Sequence, residues 1–118
     1  MKQMDYIEKI DYIRRFINNL MKIYGVKGAY ILRSVLALTA VRDGLSLMEI
    51  CSILNYTGDR VYFIMGIMND LKIMYDEYLK DEIRRYRFRE EIYRDFILSE
   101  FPDDVAEVKK WLEDTDDT

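Results

Sequence analysis

The sequence predicts a mainly helical (mainly α) domain with a small β-hairpin, and three observations support this fold class. With 118 residues, half of them apolar and a third charged, the chain is long enough for one hydrophobic core and too short for two. Apolar residues recur every three or four positions through most of the chain, as they do on one face of a helix. Alternation of charged and aromatic residues, typical of a strand, is confined to positions 84–89. We therefore expect a single domain over residues 1–114 and a frayed acidic tail at 115–118.

An N-terminal helix at about residues 3–24 carries one apolar stripe. The stripe repeats at spacings of four and three residues and comprises Tyr6, Ile10, Ile13, Ile17, Leu20 and Tyr24. A helix of this length spans about 30 Å, the width of a small domain, so we expect part of the stripe to pair two chains as a homodimer. In the alternative, the stripe packs within one chain, across a C-terminal helix at about 103–114 that carries Val105, Val108 and Trp111.

The central part of the domain, at about residues 28–98, begins with a helix that is apolar nearly all round. Gly25 ends the preceding helix, and Gly28–Val41 has the composition of a helix at the centre of a core. A capping box follows, because Ser46 and Glu49 have the spacing at which each side chain bonds the free backbone amide of the other. The short helix that begins there ends at Asn55, which suits a left-handed conformation.

A turn and a longer helix come next. The letters SLMEICSILN and YTGD are followed by RVYFIMGIMNDLKIM, in which the core stripe comprises Val61, Met65, Met68 and Leu71. This pattern resembles the winged helix-turn-helix superfamily of DNA-binding proteins, and IRRYRFREE is similar to its second wing strand. The resemblance covers about residues 28–95 and departs from the superfamily at Lys72, where many members have glycine. It implies a winged helix-turn-helix domain with additional N-terminal and C-terminal helices.

The wing implied by this resemblance lacks the usual turn residues. Positions 67–101 contain neither glycine nor proline, and we place the hairpin turn at Lys80-Asp81-Glu82. In a hairpin, Tyr86 and Phe88 point to one face and three arginines point to the other. The competing interpretation of residues 76–89 is a continued helix, whose stripe would comprise Leu79, Ile83, Tyr86, Tyr93 and Ile97.

The resemblance also implies a DNA interface, made by the longer helix and the wing. In related folds that helix enters the major groove and the wing contacts the sugar-phosphate backbone. The corresponding residues are Thr57, Arg60, Tyr62, Phe63 and Asn69 on the helix, and Arg84, Arg85, Arg87 and Arg89 on the wing. We therefore expect a sequence-specific protein that binds double-stranded DNA, a small dimeric regulator of transcription.

Two features of this surface favour other interpretations. The outer face of the helix is apolar at Tyr62, Phe63 and Ile67, which suits a protein-protein interaction module that does not bind DNA. The wing arginines are also flanked by carboxylates that would pair with them on a solvated face: Glu77, Asp81, Glu82, Glu90 and Glu91.

The charge of the chain is unevenly distributed. The formal net charge is −4, but residues 100–118 hold eight acidic residues against two lysines, which leaves a net charge of +2 on residues 1–99. The acidic segment serves either as a solubility tail or as a competitor of DNA for the basic face. A DNA-binding surface is therefore compatible with an acidic chain.

The chain contains no histidine and a single cysteine, Cys51. Histidine-dependent catalysis and His-ligated zinc are therefore excluded, and we expect no enzymatic activity, no cofactor and no metal. We expect Cys51 to be a small buried hydrophobe, with a redox sensor as the alternative. No stretch approaches the ~20 apolar residues of a membrane span, so we expect a cytoplasmic protein with no membrane partner. Abundant charged residues hint at a hot environment.

Overall fold

The computed structural model describes residues 5–116, with side chains through Asp114. Over this range the protein is mainly helical, with five helices and a small antiparallel sheet of three strands. The last helix continues through Asp116 and so includes the first two residues of the tail expected to fray at 115–118. Residues 117 and 118 lie outside the described residues. In chain order the elements are α1 (Tyr6–Val41), β1 (Leu45–Ser46), α2 (Leu47–Leu54), α3 (Gly58–Asp70), β2 (Met74–Tyr78), β3 (Arg84–Phe88), α4 (Glu91–Glu100) and α5 (Pro102–Asp116).

The hairpin β2–β3 occupies the segment that the sequence left open between a wing and a helix. The strands pair antiparallel, with Met74 opposite Phe88 and Tyr78 opposite Arg84, and β1 pairs with the other edge of β3. Met74, Tyr86 and Phe88 are buried, so one face of the hairpin is part of the core. The prediction of a hairpin is confirmed and the continued helix is wrong, because the apolar residues of β3 alternate with period two.

The hairpin turns without glycine or proline because Glu82 adopts a left-handed conformation, with φ 61°. The amide of Glu82 donates to the carbonyl of Leu79 at 2.9 Å, and the amide of Ile83 donates to the Asp81 carboxylate at 3.1 Å. Local hydrogen bonds of this kind replace the usual turn residues. The turn contains the three residues at which the sequence placed it.

A second left-handed residue, Lys72 with φ 63°, follows α3. The amide of Lys72 donates to the Asn69 carbonyl at 3.1 Å and the amide of Ile73 donates to the Met68 carbonyl at 3.0 Å, which are the two bonds of a Schellman motif. Glycine is preferred at this position because it lacks a Cβ. Lys72 therefore adopts a conformation that usually favours glycine.

We expect Lys72→Gly to raise the free energy of unfolding by about 0.5–1 kcal/mol, because relief of a left-handed strain of about 1–2 kcal/mol exceeds the added entropy of the unfolded chain. Urea unfolding followed by circular dichroism measures the change. The matched control is Lys80→Gly, since Lys80 is equally exposed but has no positive φ. Equal effects of the two substitutions would contradict the assignment of strain to Lys72.

The helix α1 consists of two segments separated by one residue. Gly25 has φ 75° and ψ −175°, which interrupts the helix, and helical geometry resumes at Val26. We call residues 6–24 the first segment and residues 26–41 the second segment. The prediction that Gly25 ends the N-terminal helix is confirmed, although no loop follows it. Most of the second segment is buried, as its composition predicts.

The apolar stripe of the first segment is covered by the chain itself. Ile13 and Ile17 are fully buried, and the adjacent Arg14 guanidinium lies 5.4 Å from the centre of the Phe96 ring on α4. The expectation that these two isoleucines pair with a second chain is therefore wrong, because elements distant in sequence close over them. The ends of the stripe are less covered, with Tyr6 exposed and Ile10, Leu20 and Tyr24 half-buried.

Two side-chain hydrogen bonds between α5 and α1 come from the second segment. The Tyr30 hydroxyl donates to Glu107 at 2.9 Å, and the Arg33 guanidinium donates to Asp104 at 3.1 Å. The first segment instead bonds to the end of α3, where the Tyr12 hydroxyl donates to a backbone carbonyl at 2.6 Å. None of the described helices is both long and apolar enough to cross a membrane.

Candidate nucleic-acid interface

The helices α2 and α3 are set by local bonds that the sequence predicts. The Ser46 hydroxyl accepts from the Glu49 amide at 3.2 Å, and the Ser46 amide donates to the Glu49 carboxylate at 3.1 Å. Asn55 ends α2 in a left-handed conformation with φ 58°. The chain then turns directly into α3, with Thr57 as the residue before its first turn. The geometry of this helix pair therefore follows from its sequence.

The outer face of α3 is solvent-exposed. Its predicted core stripe faces inward, with Val61, Met65 and Met68 fully buried and Leu71 half-buried. On the opposite face, Arg60 is exposed, and the exposed fractions of Tyr62 and Phe63 are 56% and 59%. The hairpin lies on one side of this face and the first segment of α1 on the other, since Tyr62 neighbours the hairpin and Phe63 contacts Tyr24.

The two remaining helix residues of the predicted interface differ in their surroundings. Thr57 is exposed, and its side chain makes no capping hydrogen bond, so its hydroxyl is available to a ligand. Asn69 is half-buried and donates to the Asp76 carboxylate on β2. This bond fixes Asn69 against the hairpin. Four of the five predicted helix residues are therefore exposed to solvent, whereas Asn69 is half-buried and bonded to the hairpin.

Arg84 lies between the hairpin and α3. Its guanidinium pairs with Asp76 and lies 5.9 Å from the centre of the Tyr62 ring and 5.5 Å from that of Tyr86. Arg84 points to the α3 side of the hairpin because it shares the strand face of the buried Tyr86. It therefore joins the hairpin to α3.

Arg85 points to the other face of the hairpin and joins it to α2. Its guanidinium donates to Asp81 at 2.9 Å and to Glu49 at 3.1 Å. The same oxygen of Glu49 accepts from the capping-box amide of Ser46. The ion pair of Arg85 therefore supports the beginning of α2 as well as the hairpin turn.

Arg87 joins the hairpin to the end of α1. Its guanidinium pairs with Glu77 on the neighbouring strand and donates to Asp43 at 3.1 Å. It also lies against Gly44, where an added Cβ would come within 2.9 Å of the guanidinium. Gly44 has φ 84°. The guanidinium can move aside from an added Cβ, so it is the backbone conformation that favours glycine at this position.

The electrostatics of the hairpin are therefore largely self-compensated. Hydrogen bonds to Asp76, Asp81 and Glu77 raise the pKa of Arg84, Arg85 and Arg87, respectively. The backbone amide of Ile83 and then Arg85 lower the pKa of Asp81. Of the flanking carboxylates that the sequence suggested as partners, Glu77 and Asp81 pair with these arginines; Glu90 bonds Lys9 and Glu91 bonds Arg94.

Several cations near α3 have no partner among the described residues. Arg89, the fourth arginine of the predicted wing set, is exposed at the base of the hairpin and forms no ion pair there. The same holds for four other exposed cations around α3, namely Lys27, Arg60, Lys72 and Lys80. The positive charge that is available to a phosphate lies on these side chains and not on the paired arginines of β3.

Exposed apolar side chains also cluster around α3 and the hairpin tip. They are Tyr62, Phe63, Tyr78, Leu79 and Ile83. Ile67, which the sequence placed on the outer face, is half-buried. Tyr78 at the end of β2, and Leu79 and Ile83 on either side of the turn, carry no sequence signal beyond the hairpin pattern itself.

Cys51 is half-buried on α2, and desolvation raises the pKa of its thiol above the usual value of 9.0. We expect the native chain to react at pH 8 at least about tenfold more slowly with a disulfide reagent than the chain unfolded in urea, because only the thiolate reacts. Because burial raises the pKa of this thiol, its contribution to the protection is fully present at neutral pH and is lost as pH rises through the raised pKa. Equal rates in native and unfolded chains would support the redox-sensor alternative.

Comparisons with known proteins place no further constraint on this surface. No model of a known protein family, no curated protein and no solved structure matches the chain. Among the described residues, no three carboxylate or thiol side chains lie close enough together to hold a metal ion. We therefore infer the candidate interface from the exposed and charged side chains of α3 and the hairpin.

Proposed function

We propose that the protein binds double-stranded DNA in the manner of a winged helix-turn-helix regulator, with the N-terminal half of α3 in the major groove. The observation that carries the proposal is the uncovered face of α3, where Thr57, Arg60, Tyr62 and Phe63 are all exposed. A major groove about 12 Å wide admits a helix about 10–12 Å across. The hairpin beside α3 would then serve as the wing.

The side chains on this face supply different contacts. Arg60 can make two hydrogen bonds to a guanine edge, and Phe63 can contact a thymine methyl. The Tyr62 and Thr57 hydroxyls can donate to phosphates, next to the amides of the first turn of α3. A surface of this kind reads one or two base pairs directly and obtains the rest of its affinity from the backbone.

We expect the phosphate contacts to come from cations that have no partner among the described residues. Arg85 and Arg87 would have to exchange carboxylates for phosphates, whereas Lys72, Lys80 and Arg89 are unpaired among the described residues. Three phosphate contacts predict a slope of about −3 for log affinity against log salt, and participation of both paired arginines would steepen it to about −5.

Fluorescence anisotropy with random and genomic duplexes over a series of salt concentrations tests the proposal. We expect binding at low salt, a slope near −3, and tighter binding to some genomic sequences than to random ones. Arg85→Ala should leave the slope unchanged. Absence of binding at about 50 mM salt, or an affinity that ignores salt, would contradict DNA binding.

The second candidate function is a protein-binding module, favoured by the exposed apolar side chains of α3 and the hairpin tip. Tyrosine and phenylalanine are typical anchors at protein interfaces, and the paired arginines make the hairpin electrically neutral. Lack of duplex binding, together with a co-purifying protein that is lost in Phe63→Asp, would support this function over DNA binding.

Dimerisation, which a two-fold DNA site would favour, would use residues outside the centre of the apolar stripe. Ile7, Ile23 and Val26 are exposed on α1, whereas Ile13 and Ile17 are not. Sedimentation equilibrium at tens of micromolar distinguishes a pair of chains from a single one.

A further inference from the structure

A cleft of about 380 Å³ opens between the kink of α1 and the first turns of α3. Its walls comprise two aromatic rings, two aliphatic side chains and two cations, contributed by Tyr24 and Phe63, Ile31 and Ile64, and Lys27 and Arg60. Small-molecule sites have volumes of about 300–1,000 Å³, with mainly apolar walls and a few polar groups. The cleft has the size and composition of such a site.

The cations of the cleft carry uncompensated positive charge. Lys27 and Arg60 are exposed, and neither has an ionic partner among the described residues. Both lie in the first turn of a helical stretch, Lys27 two residues after the break at Gly25 and Arg60 at the third position of α3. The helix dipole adds positive potential at such ends. Two side chains and two helix ends therefore favour an anion in one place.

The aromatic rings form an apolar wall beside these charges. The ring centres of Tyr24 and Phe63 are 6.5 Å apart at an interplanar angle of 62°, and more than half of Phe63 is exposed. The Tyr24 hydroxyl is buried and has no hydrogen-bond partner among the described residues. An added Cβ at Gly28 would lie 2.5 Å from the Cβ of Tyr24, so glycine is needed to keep this ring in place.

We propose that this cleft binds a small aromatic carboxylate, whose anionic group lies between Lys27 and Arg60 and whose ring packs against Phe63. The site involves no nucleic acid and stands independently of the proposed function. Because Arg60 and Phe63 also belong to the proposed DNA surface, a bound ligand would compete with DNA; only this consequence rests on the proposed function.

Titration of the full ¹⁵N-labelled chain with sodium 2-naphthoate, followed by amide chemical shifts, tests the site. We expect saturable shifts around residues 24–31 and 60–64 with a Kd of about 0.1–1 mM, as for a ligand of this size. 2-Naphthamide, which has the same ring system without the charge, should bind at least about fivefold more weakly, and so should inorganic phosphate, which has the charge without the ring.

Substitutions test the contributions of the cations and of the aromatic ring to binding separately. Lys27→Gln and Arg60→Gln should each raise the Kd for 2-naphthoate about fivefold or more, and Phe63→Leu should raise it severalfold. Lys109→Gln is the matched control, because Lys109 is an exposed cation on α5 outside the cleft. Unchanged shifts remote from the cleft show that each variant is folded. The proposal would be overturned if no saturable shift appeared at 10 mM, which is at least about tenfold above the expected Kd. Equal binding of either control compound, or equal effects of the Lys109 and Arg60 variants, would also overturn it.

Discussion

Replacement of Ile17 by alanine is expected to lower the free energy of unfolding by about 2–5 kcal/mol, a large share of the ~5–15 kcal/mol that stabilises a typical domain. Ile17 is 1% exposed in the first segment of α1, which packs against α3 and α4. The alanine loses the transfer free energy of three carbons and leaves a cavity. Urea unfolding followed by circular dichroism measures the loss.

The matched control is Ile23→Ala, in the same segment. Ile23 is 76% exposed, so this substitution should change the free energy of unfolding by no more than about 0.5 kcal/mol. The unfolding midpoint of the wild type should also be independent of protein concentration between about 1 and 100 µM, because the chain covers its own stripe. A midpoint that rises with concentration would show that a second chain supplies the cover.

The substitution Arg60→Glu is expected to weaken duplex binding about a hundredfold or more at low salt. It removes the proposed base contact and places a negative charge in the groove, where it is repelled by the phosphates. Lys109→Glu makes the same change in net charge on α5 and should weaken binding only about twofold. Anisotropy titrations of the three proteins with one duplex measure these differences.

The result of this comparison also shows whether α3 takes part in DNA binding. If Arg60→Glu and Lys109→Glu weaken binding equally, α3 is not in the groove, and the basic residues act only through overall charge. Circular dichroism of each variant confirms that its fold is intact, as is expected for exposed positions. A folded Arg60→Glu variant with wild-type affinity would remove α3 from the DNA interface.

Features that depend on neighbouring residues could be predicted from the sequence. The capping box of Ser46 and Glu49, the left-handed Asn55 and the end of a helix at Gly25 each depend on a few consecutive residues. The buried stripe of α3 followed from its spacing. All of these features are decided by local geometry, and the residues that determine that geometry are neighbours in the sequence.

Features that join distant segments could not be predicted. The pairing of the wing arginines with Glu77 and Asp81 was foreseen. That Arg87 also bonds Asp43, 44 residues earlier, and that Arg85 bonds Glu49, 36 residues earlier, was not. The role of these arginines therefore changes from free cations to links between elements. No periodicity or motif encodes such pairs, because they arise only when the sheet packs on the helices.

Tertiary packing also overrode local preference at two positions. Lys72 and Glu82 are left-handed although neither is glycine, because the chain must reverse there for the hairpin to reach the core. The cleft, like the long-range ion pairs, could not be predicted, since Lys27 and Arg60 lie 33 residues apart and meet only through the packing of α1 on α3. The sequence placed Arg60 on an exposed face without indicating its neighbour.

The packing of α1 sets the order in which this chain can fold. Lys9 bonds Glu90 over a separation of 81 residues, and Arg33 bonds Asp104 over 71. The core therefore stays incomplete until the last third of the chain is available, while the hairpin and the α2–α3 pair can form from local contacts. During synthesis, the apolar faces of α1 are exposed until α4 and α5 emerge. Association of nascent chains in that interval is the main hazard that this topology creates for the protein.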